Sequence, residues 1–317
     1  MRLPFLALLL GSFLSPSLQA ADARDWLVRM TGAGASQSFS GTYIYERSGI
    51  FSTHHIWHQA LPPASITERL LQLDGQEQEV LLSNGRVRCA TRNQFENLAE
   101  VQQLDGSRFD VARLEKTYEL KLLGSSRVAG RAAVVVLLLP RDNYRYAREL
   151  HLDSETGLLL KSLLLNGQGQ LLERMQFTSL APKLEHGQQD LQPVTDCVAP
   201  IGAPQSAERK SAWQVGWMPA GFVLSATRQQ HDPETNASVQ SLVFDDGLAR
   251  FSIFLEPLNG VMAGNAHAQM GPTVVVSRPL SNGKGQFMVT VVGEIPLTTA
   301  EQVVLSVTSK DLAGTQP

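Results

Sequence analysis

The chain has 317 residues, of which 43% are apolar and 18% are charged, and its formal net charge is −3. This balance is that of an ordinary globular protein and excludes a largely disordered one. It also argues against a nucleic-acid partner, because binding to phosphates needs an excess of Lys and Arg.

The first twenty residues have the plan of a secretory signal peptide. Arg2 lies near the start, residues 3–14 form an apolar stretch, and Ala20 and Ala21 are the small residues of a cleavage point. The stretch is interrupted, and it is shorter than the roughly 20 apolar residues that span a membrane. We therefore expect residues 1–20 to be removed during export.

The mature chain opens on a predicted short helix. Asp22 is suited to cap its start, and Gly32 is suited to end it. Trp26, Leu27 and Met30 fall on one face of this helix, which we expect to pack on the rest of the domain.

Strand patterns then dominate the first part of the chain. Turn signals at Asp74-Gly75 and Asn84-Gly85 separate early strands, and three longer strands form a meander within residues 144–177. Between these two groups, apolar residues recur at helical spacing from Gln94 to Leu114. The first domain is therefore predicted to be an antiparallel sheet with a helical insert.

Neighbouring leucines in these strands bear on function. A half-solvated antiparallel strand alternates apolar and polar residues, whereas here apolar residues follow one another, so both faces of the sheet must be covered. One interpretation is a concave apolar pocket suited to an acyl chain. The other is a sheet buried on both sides by helices and loops. The pocket candidates are Leu70, Leu71, Leu158, Leu160, Leu163 and Leu164.

The two cysteines of the chain are Cys89 and Cys197. An oxidising compartment allows them to pair across 108 residues of sequence, and two buried free thiols are the alternative. Neither cysteine has the neighbours of a redox or metal motif.

The strand pattern stops between residues 181 and 210, where four prolines appear among Gly, Gln, Ser and Ala. This composition is typical of a flexible linker. Since about 300 mature residues exceed what one hydrophobic core usually serves, we expect two domains. They are a first domain over 21–180 and a second domain over 211–317.

An aromatic turn begins the second domain. Trp213, Trp217, Met218 and Phe222 stand close together there. Such residues either anchor a protein partner or form the core of a small domain.

A predicted hairpin and a final helix complete the second domain. The hairpin crosses Asp246-Gly247, and we assign Asp245 and Asp246 to its turn alone. Arg250 on this hairpin could meet an acidic group of a partner, although a solvated surface charge is the simpler interpretation. The helix begins near Thr298, which has capping-box spacing to Glu301.

One histidine cluster bears on metal-binding and catalytic chemistry. It consists of His54, His55 and His58, but strand alternation turns His55 away from the other two. His54 and His58 lie about 13 Å apart at a rise of ~3.3 Å per residue, too far to share one zinc ion. No Gly-x-Ser-x-Gly or His-Glu-x-x-His motif occurs, and no nucleophile, base and orienting group are recognised together. We predict no metal, no cofactor and no enzymatic activity.

Several segments together resemble the RseB/MucB family of sigma-factor regulators. In the first domain they are GTYIYER (41–47), RLLQLDG (69–75), SRVAGR (126–131), the run 149–165 and GQLLE (169–173). In the second domain they are WMPAGF (217–222), DGLARFS (246–252) and VTVVGE (289–294). The order and spacing of these segments are more specific than any one of them.

The resemblance implies a mainly β protein of the periplasm. The first domain would be shaped like LolA and LolB, an open antiparallel β-barrel around a helical insert, with a smaller α+β domain after it. The implied partner is the periplasmic domain of a single-pass anti-sigma factor of the RseA or MucA type, which the protein shields from the site-1 protease. A lipid or lipopolysaccharide signal would relieve this contact.

The family supplies no short functional motif to transfer, so the candidate site residues are chosen by residue type and pattern. The candidates for partner binding are Trp213, Trp217, Met218, Phe222 and Arg250.

Two other functional classes stay open. A general periplasmic carrier of lipids or lipoproteins would share the first domain, but it leaves the second domain unexplained. A periplasmic metal hydrolase would need the histidine cluster. The sequence does not decide whether the chain forms a homo-oligomer.

Overall fold

The computed structural model describes residues 22–63, 65–91, 109–193, 197–199, 212–231, 238–258, 260, 263–282 and 285–310. The predicted signal peptide and most of the predicted helical insert lie outside these residues. In the described part of the chain, no helix has the length and apolar character needed to cross a membrane.

Ten antiparallel strands form one open sheet in the first domain. They are β1 (Phe39–Arg47), β2 (Ile50–Leu61), β3 (Ser65–Gln72), β4 (Gln78–Ser83), β5 (Arg86–Ala90), β6 (Tyr118–Val128), β7 (Arg131–Pro140), β8 (Ala147–Asp153), β9 (Leu159–Leu165) and β10 (Leu171–Ala181). The spatial order is β5-β4-β3-β2-β1-β10-β9-β8-β7-β6, so β5 and β6 are the edges and β10 lies in the middle.

Helix α1 (Ala23–Ser36) covers part of one face of this sheet. The Asp22 carboxylate accepts a hydrogen bond from the Asp25 amide at 2.9 Å, which confirms the predicted cap. The helix continues past Gly32, where we expected it to end. Leu27 and Met30 are buried against β6, β7 and β8, together with the short helix α2 (Val111–Leu114).

The chain after β10 remains attached to the first domain instead of leaving it as a free linker. The Ser40 hydroxyl of β1 donates to the Lys183 carbonyl at 3.3 Å. A 3-10 turn, Gly187–Leu191, packs on β3, where the Arg69 guanidinium donates to the Asp190 carbonyl at 2.9 Å. The chain thus runs from the middle of the sheet towards its β5 edge.

A disulfide fixes the end of this path. Cys89 of β5 is bonded to Cys197, so the paired alternative is the one observed. Ala90 and Val198 also exchange two backbone hydrogen bonds, of 2.9 and 3.0 Å. We call residues 182–193 with 197–199 the strap.

The second domain is a six-stranded antiparallel sheet with one helix and a small two-stranded sheet. Its strands are β11 (Trp213–Val215), β12 (Val223–His231), β13 (Ser238–Asp245), β14 (Arg250–Pro257), β15 (Ala266–Met270), β16 (Thr273–Asn282), β17 (Gly285–Gly293) and β18 (Val307–Ser309). The larger sheet has the order β12-β13-β14-β17-β16-β15, and β11 pairs with β18.

Helix α3 (Leu297–Ser306) packs on β16 and β17 and buries Ala300, Val303 and Val304 in the core of the second domain. The final helix is therefore confirmed, but its predicted capping box is wrong. The cap position is Pro296, and no side chain caps the helix. The mainly β class is confirmed, with an open antiparallel sheet followed by a smaller α+β domain.

Candidate functional site

The two domains meet at a polar cluster around Asp246, whose side chain is fully buried. Its Oδ1 accepts hydrogen bonds from the Leu248 and Ala249 amides at 2.9 and 2.7 Å, which builds the predicted turn. Its Oδ2 faces the first domain and accepts from the Tyr118 hydroxyl at 3.1 Å and from the Arg145 guanidinium. The assignment of Asp246 to the turn alone was therefore incomplete.

Arg145 is the centre of this cluster on the first-domain side. It also donates to the Asp142 carboxylate at 2.9 and 3.1 Å and to the Ala220 carbonyl at 2.6 Å. Its guanidinium lies 5.1 Å from the ring centre of Phe222. Burial opposes its charge, but the hydrogen bond to Asp142 and the charge of Asp246 outweigh burial and raise the pKa of Arg145.

Tyr118 completes the buried cluster. Burial, with the negative charge of Asp246 added to it, raises the pKa of Tyr118 well above its usual value. The hydroxyl is therefore neutral and can donate to the carboxylate. We call Tyr118, Asp142, Arg145 and Asp246 the latch.

A second ion pair lies beside the latch. Arg113 of α2 donates to the Asp245 carboxylate at 2.9 Å and to the Gly221 carbonyl at 3.3 Å. Gly221 has a φ of +87°, and a Cβ there would lie 2.5 Å from the Thr117 methyl group. Only glycine fits this close approach of the two domains.

The hairpin between β1 and β2 makes a second joint with the second domain. Arg47 donates to Glu294 at 3.3 Å and also to the Thr273 hydroxyl. The β15–β16 turn comes so close that a Cβ on Gly271 would lie 2.6 Å from the Ser48 hydroxyl oxygen. This second joint is separate from the latch.

Tyr146 supplies a further contact between the domains, and its hydroxyl donates to the Ile295 carbonyl at 3.1 Å. Burial and the negative charge of Glu294 raise the pKa of Tyr146 to about 12. In the unfolded chain this hydroxyl titrates near pH ~10. A raised folded-state pKa gives stability that is fully present below pH ~10 and is lost as pH rises through 12.

We therefore expect the free energy of unfolding to fall by about 2 to 3 kcal/mol between pH ~10 and ~12 through the ionisation of Tyr146. Urea unfolding at pH 8, 10 and 11.5 measures this loss in the natural chain and in Tyr146→Phe. The two free energies of unfolding should converge as pH rises, because the variant lacks the titrating hydroxyl. Tyr144→Phe, on the neighbouring half-buried ring, is the matched control, and parallel curves for Tyr146→Phe would contradict the expectation.

The five candidates for partner binding occupy different surroundings. Trp213 and Phe222 are buried in the core of the second domain, which is the core alternative that the sequence left open. Trp217 and Met218 are half-buried, and the Trp217 ring packs edge-on against Tyr144 of the first domain at 5.1 Å. Arg250 is exposed.

The structure does not bring the six pocket candidates together on one surface. Leu70 is buried with core residues of β1, β2, β4 and β10, whereas Leu160 is buried in a smaller cluster with Val128 and Ala133. Leu158 and Leu164 are also buried. Leu71 and Leu163 are half-buried, and each points to the opposite face from its neighbour because successive strand residues alternate.

The three histidines of β2 have separate partners. His54 stacks on Tyr43 with ring centres 5.1 Å apart, and Nδ1 of His55 is hydrogen-bonded to the Thr42 hydroxyl at 2.9 Å. His58 lies between Glu68 and the Gly34 carbonyl, both at 2.9 Å. Across the described residues, no three His, Cys, Asp or Glu side chains are arranged to hold a metal ion.

One hydrogen-bonded chain of polar groups was not recognised from the sequence. Ser126 lies 2.6 Å from Nδ1 of His151, and Nε2 of His151 lies 2.8 Å from the Glu149 carboxylate. Burial lowers the pKa of His151. Ser126 is on the edge strand β6 and His151 is on β8, and β7 lies between these two strands. The side-chain contacts therefore connect the edge strand to β8 across β7. The sequence offered one sign of this contact. Glu149 and His151 are two residues apart on one strand, so their side chains point to the same face of the sheet.

Exposed apolar side chains lie beside the second joint. Ile50 and Phe51 follow the β1–β2 turn and are 72% and 59% exposed, and Met270 in the second domain is 69% exposed. The sequence did not identify these residues, because an apolar residue in a strand pattern does not show whether it is exposed or buried. Their common location follows only from the docking of the domains.

Comparison with known proteins decides the family. Residues 22–195 match the model of the MucB/RseB N-terminal domain, and residues 207–308 match that of the MucB/RseB C-terminal domain. The chain belongs to the MucB/RseB family. The predicted resemblance is thereby confirmed.

Individual members of the MucB/RseB family are similar over most of the chain. The sigma factor AlgU regulatory protein MucB of Pseudomonas aeruginosa is 50% identical over 97% of this chain and 98% of its own. A crystal structure of MucB in complex with MucA(peri) matches with a TM-score of 0.79 at 48% identity, covering 91% of this chain and 99% of that one. The P. aeruginosa MucA/MucB complex matches at 0.80 and 49%, with the same coverage.

Proposed function

We propose that this chain is a periplasmic negative regulator of an envelope-stress sigma factor. It binds the periplasmic region of a membrane anti-sigma factor and shields that region from the site-1 protease. The observation that carries the proposal is the likeness over nine-tenths of the chain to MucB held in complex with MucA(peri).

The domain junction supports a contact that needs both domains. The latch and the second joint hold the domains in one arrangement, and exposed apolar residues from both domains lie at the second joint. Of the candidates for partner binding, Trp217, Met218 and Arg250 retain accessible surface. We propose that these three contact the anti-sigma factor and that Trp213 and Phe222 hold the turn that presents them.

The proposal includes relief by a lipid. Leu158, Leu160 and Leu164 are buried, so an acyl chain would enter by displacing packed side chains. Each buried CH₂ of such a chain gains about 0.8 kcal/mol. Release follows only if the lipid prefers the partner-free form, and linkage then requires the partner to weaken lipid binding by the same factor.

Binding and protection are testable with purified components. The natural chain from residue 22 onward should bind the periplasmic region of the anti-sigma factor from the same organism in calorimetry, and it should slow cleavage of that region by the site-1 protease. A fragment of residues 22–199, which keeps the strap and the disulfide, should be folded but give no protection.

Failure of the folded full chain to bind would contradict the proposed function. Full protection by the 22–199 fragment would contradict the role of the second domain.

A second experiment tests release by a lipid. An acylated lipid fragment is titrated into the protein below its micelle concentration, with and without the anti-sigma peptide. Equal lipid affinity in the two titrations would exclude it.

A further inference from the structure

The strap covers a polar and aromatic layer on the face of the sheet opposite α1. His58 of β2 contacts the Gly34 carbonyl of α1, so its neighbour Trp57 points to the other face. There the Arg69 guanidinium lies 4.3 Å from the Trp57 ring centre and pairs with Glu79, whose side chain is fully buried. This layer lies beneath the strap.

Few described contacts besides the disulfide hold the end of the strap. They are the two backbone hydrogen bonds between Ala90 and Val198, on an edge strand. Further back, the Asp190 carbonyl accepts from Arg69, and Leu191 is buried. Hydrogen bonds at the edge of a sheet open locally more readily than those of a core, so the covalent bond decides whether this end stays in place.

The disulfide lies at the edge of the sheet and is not enclosed in a core. Cys89 lies on the edge strand β5, and both Cys89 and Cys197 are only half-buried. The next residue, Val198, is 36% exposed. The rate of thiol–disulfide exchange depends on the access of the attacking thiolate to a sulfur, and accessible disulfides are more readily reduced than structural ones.

Release would also lengthen the connection between the domains. With the strap in place, twelve residues separate Ala199 from Ala212, but thirty separate Ala181 from Ala212. The effective concentration of one tethered domain at the other falls roughly as the −3/2 power of tether length, which is about fourfold here.

We propose that the Cys89–Cys197 disulfide is a thiol–disulfide exchange site at which a dithiol reductant releases the strap. A thiolate of the dithiol attacks one sulfur, the Cys89–Cys197 bond breaks, and a mixed disulfide forms. The second thiol of the reductant then displaces the protein sulfur. The reductant leaves as its cyclic disulfide, and the protein keeps two thiols. Release loosens domain docking, so the anti-sigma factor binds more weakly; this last step rests on the proposed function.

Limited trypsin digestion tests the release on the whole mature chain. Lys183 lies in the strap and is exposed. Cleavage after Lys183, followed by mass spectrometry, should be slow in the oxidised protein and about tenfold faster after dithiothreitol, because local opening governs cleavage of a folded chain. Reoxidation should restore the slow rate. Equal rates in the oxidised and reduced protein would overturn the proposal.

A variant and a binding measurement complete the test. Cys89→Ser with Cys197→Ser should show the fast rate with and without dithiothreitol, and far-UV circular dichroism should show both forms folded. Reduction should weaken binding of the anti-sigma periplasmic region in the natural chain, by up to about fourfold, and should leave binding by the variant unchanged. Unchanged affinity with a released strap would overturn the effect on docking. Absence of binding even to the oxidised protein would instead contradict the proposed function.

Discussion

Asp246→Asn should lower the free energy of unfolding by about 1 to 3 kcal/mol, because the buried Arg145 loses one of its two carboxylate partners and keeps only Asp142. Asparagine keeps the Oδ1 acceptor for the Leu248 and Ala249 amides, so the turn of the second domain survives. The loss therefore falls on the contact between the domains. Urea unfolding at neutral pH measures it.

A control and a double-mutant cycle separate the latch from general damage. Glu155→Gln makes the same chemical change in a carboxylate that pairs with Arg131 but is 83% exposed, and it should cost less than about 0.5 kcal/mol. Arg145→Met combined with Asp246→Leu should cost less than the sum of the two single changes, because neither charge is then buried alone. Additive costs would show that the two side chains do not act as a pair.

Glu79→Gln should be more damaging, with an expected loss of about 3 to 5 kcal/mol, because Glu79 is the carboxylate that pairs with Arg69 in the described part of the chain. The Glu79 carboxylate is fully buried against Arg69, whose side chain is 6% exposed. Replacing Glu79 with neutral glutamine therefore leaves the charged Arg69 guanidinium buried beneath the strap without this carboxylate. Since Arg69 also holds the Asp190 carbonyl, cleavage after Lys183 should accelerate together with the fall in stability.

An exposed pair provides the comparison for Glu79. Glu119 and Lys121 lie 3.1 Å apart with side chains 48% and 41% exposed, and Glu119→Gln should change stability by less than about 0.5 kcal/mol. Thermal and urea unfolding of both variants settles the difference. Equal small effects would mean that Arg69 is compensated by other groups.

Local patterns predicted the elements of this fold well. Asp22 caps α1 as expected, and the Asn84-Gly85 turn joins β4 to β5. Such features depend on residues a few positions apart, which the sequence displays directly. The final helix shows the limit, because Thr298 has capping spacing but the chain enters the helix from Pro296.

The contacts that create the candidate site depend on residues far apart in sequence. Asp246 reads as part of a hairpin turn, but its partners Tyr118 and Arg145 lie more than 100 residues earlier. The proline-rich segment reads as a flexible linker, yet Cys197 and Asp190 fasten it to the sheet. Adjacent leucines were grouped as one pocket although strand alternation sends Leu163 and Leu164 to opposite faces.

The disulfide that follows β10 in the chain determines where the first domain can be cut. A fragment that stops at Ala181 contains all ten strands, but it leaves Cys89 as a free thiol on an uncovered strand edge. Uncovered edges pair with those of other molecules, and exposed thiols cross-link them. Such a fragment should form covalent aggregates on storage in air. A soluble first-domain fragment must therefore extend to Ala199, beyond its last strand and beyond the predicted domain boundary.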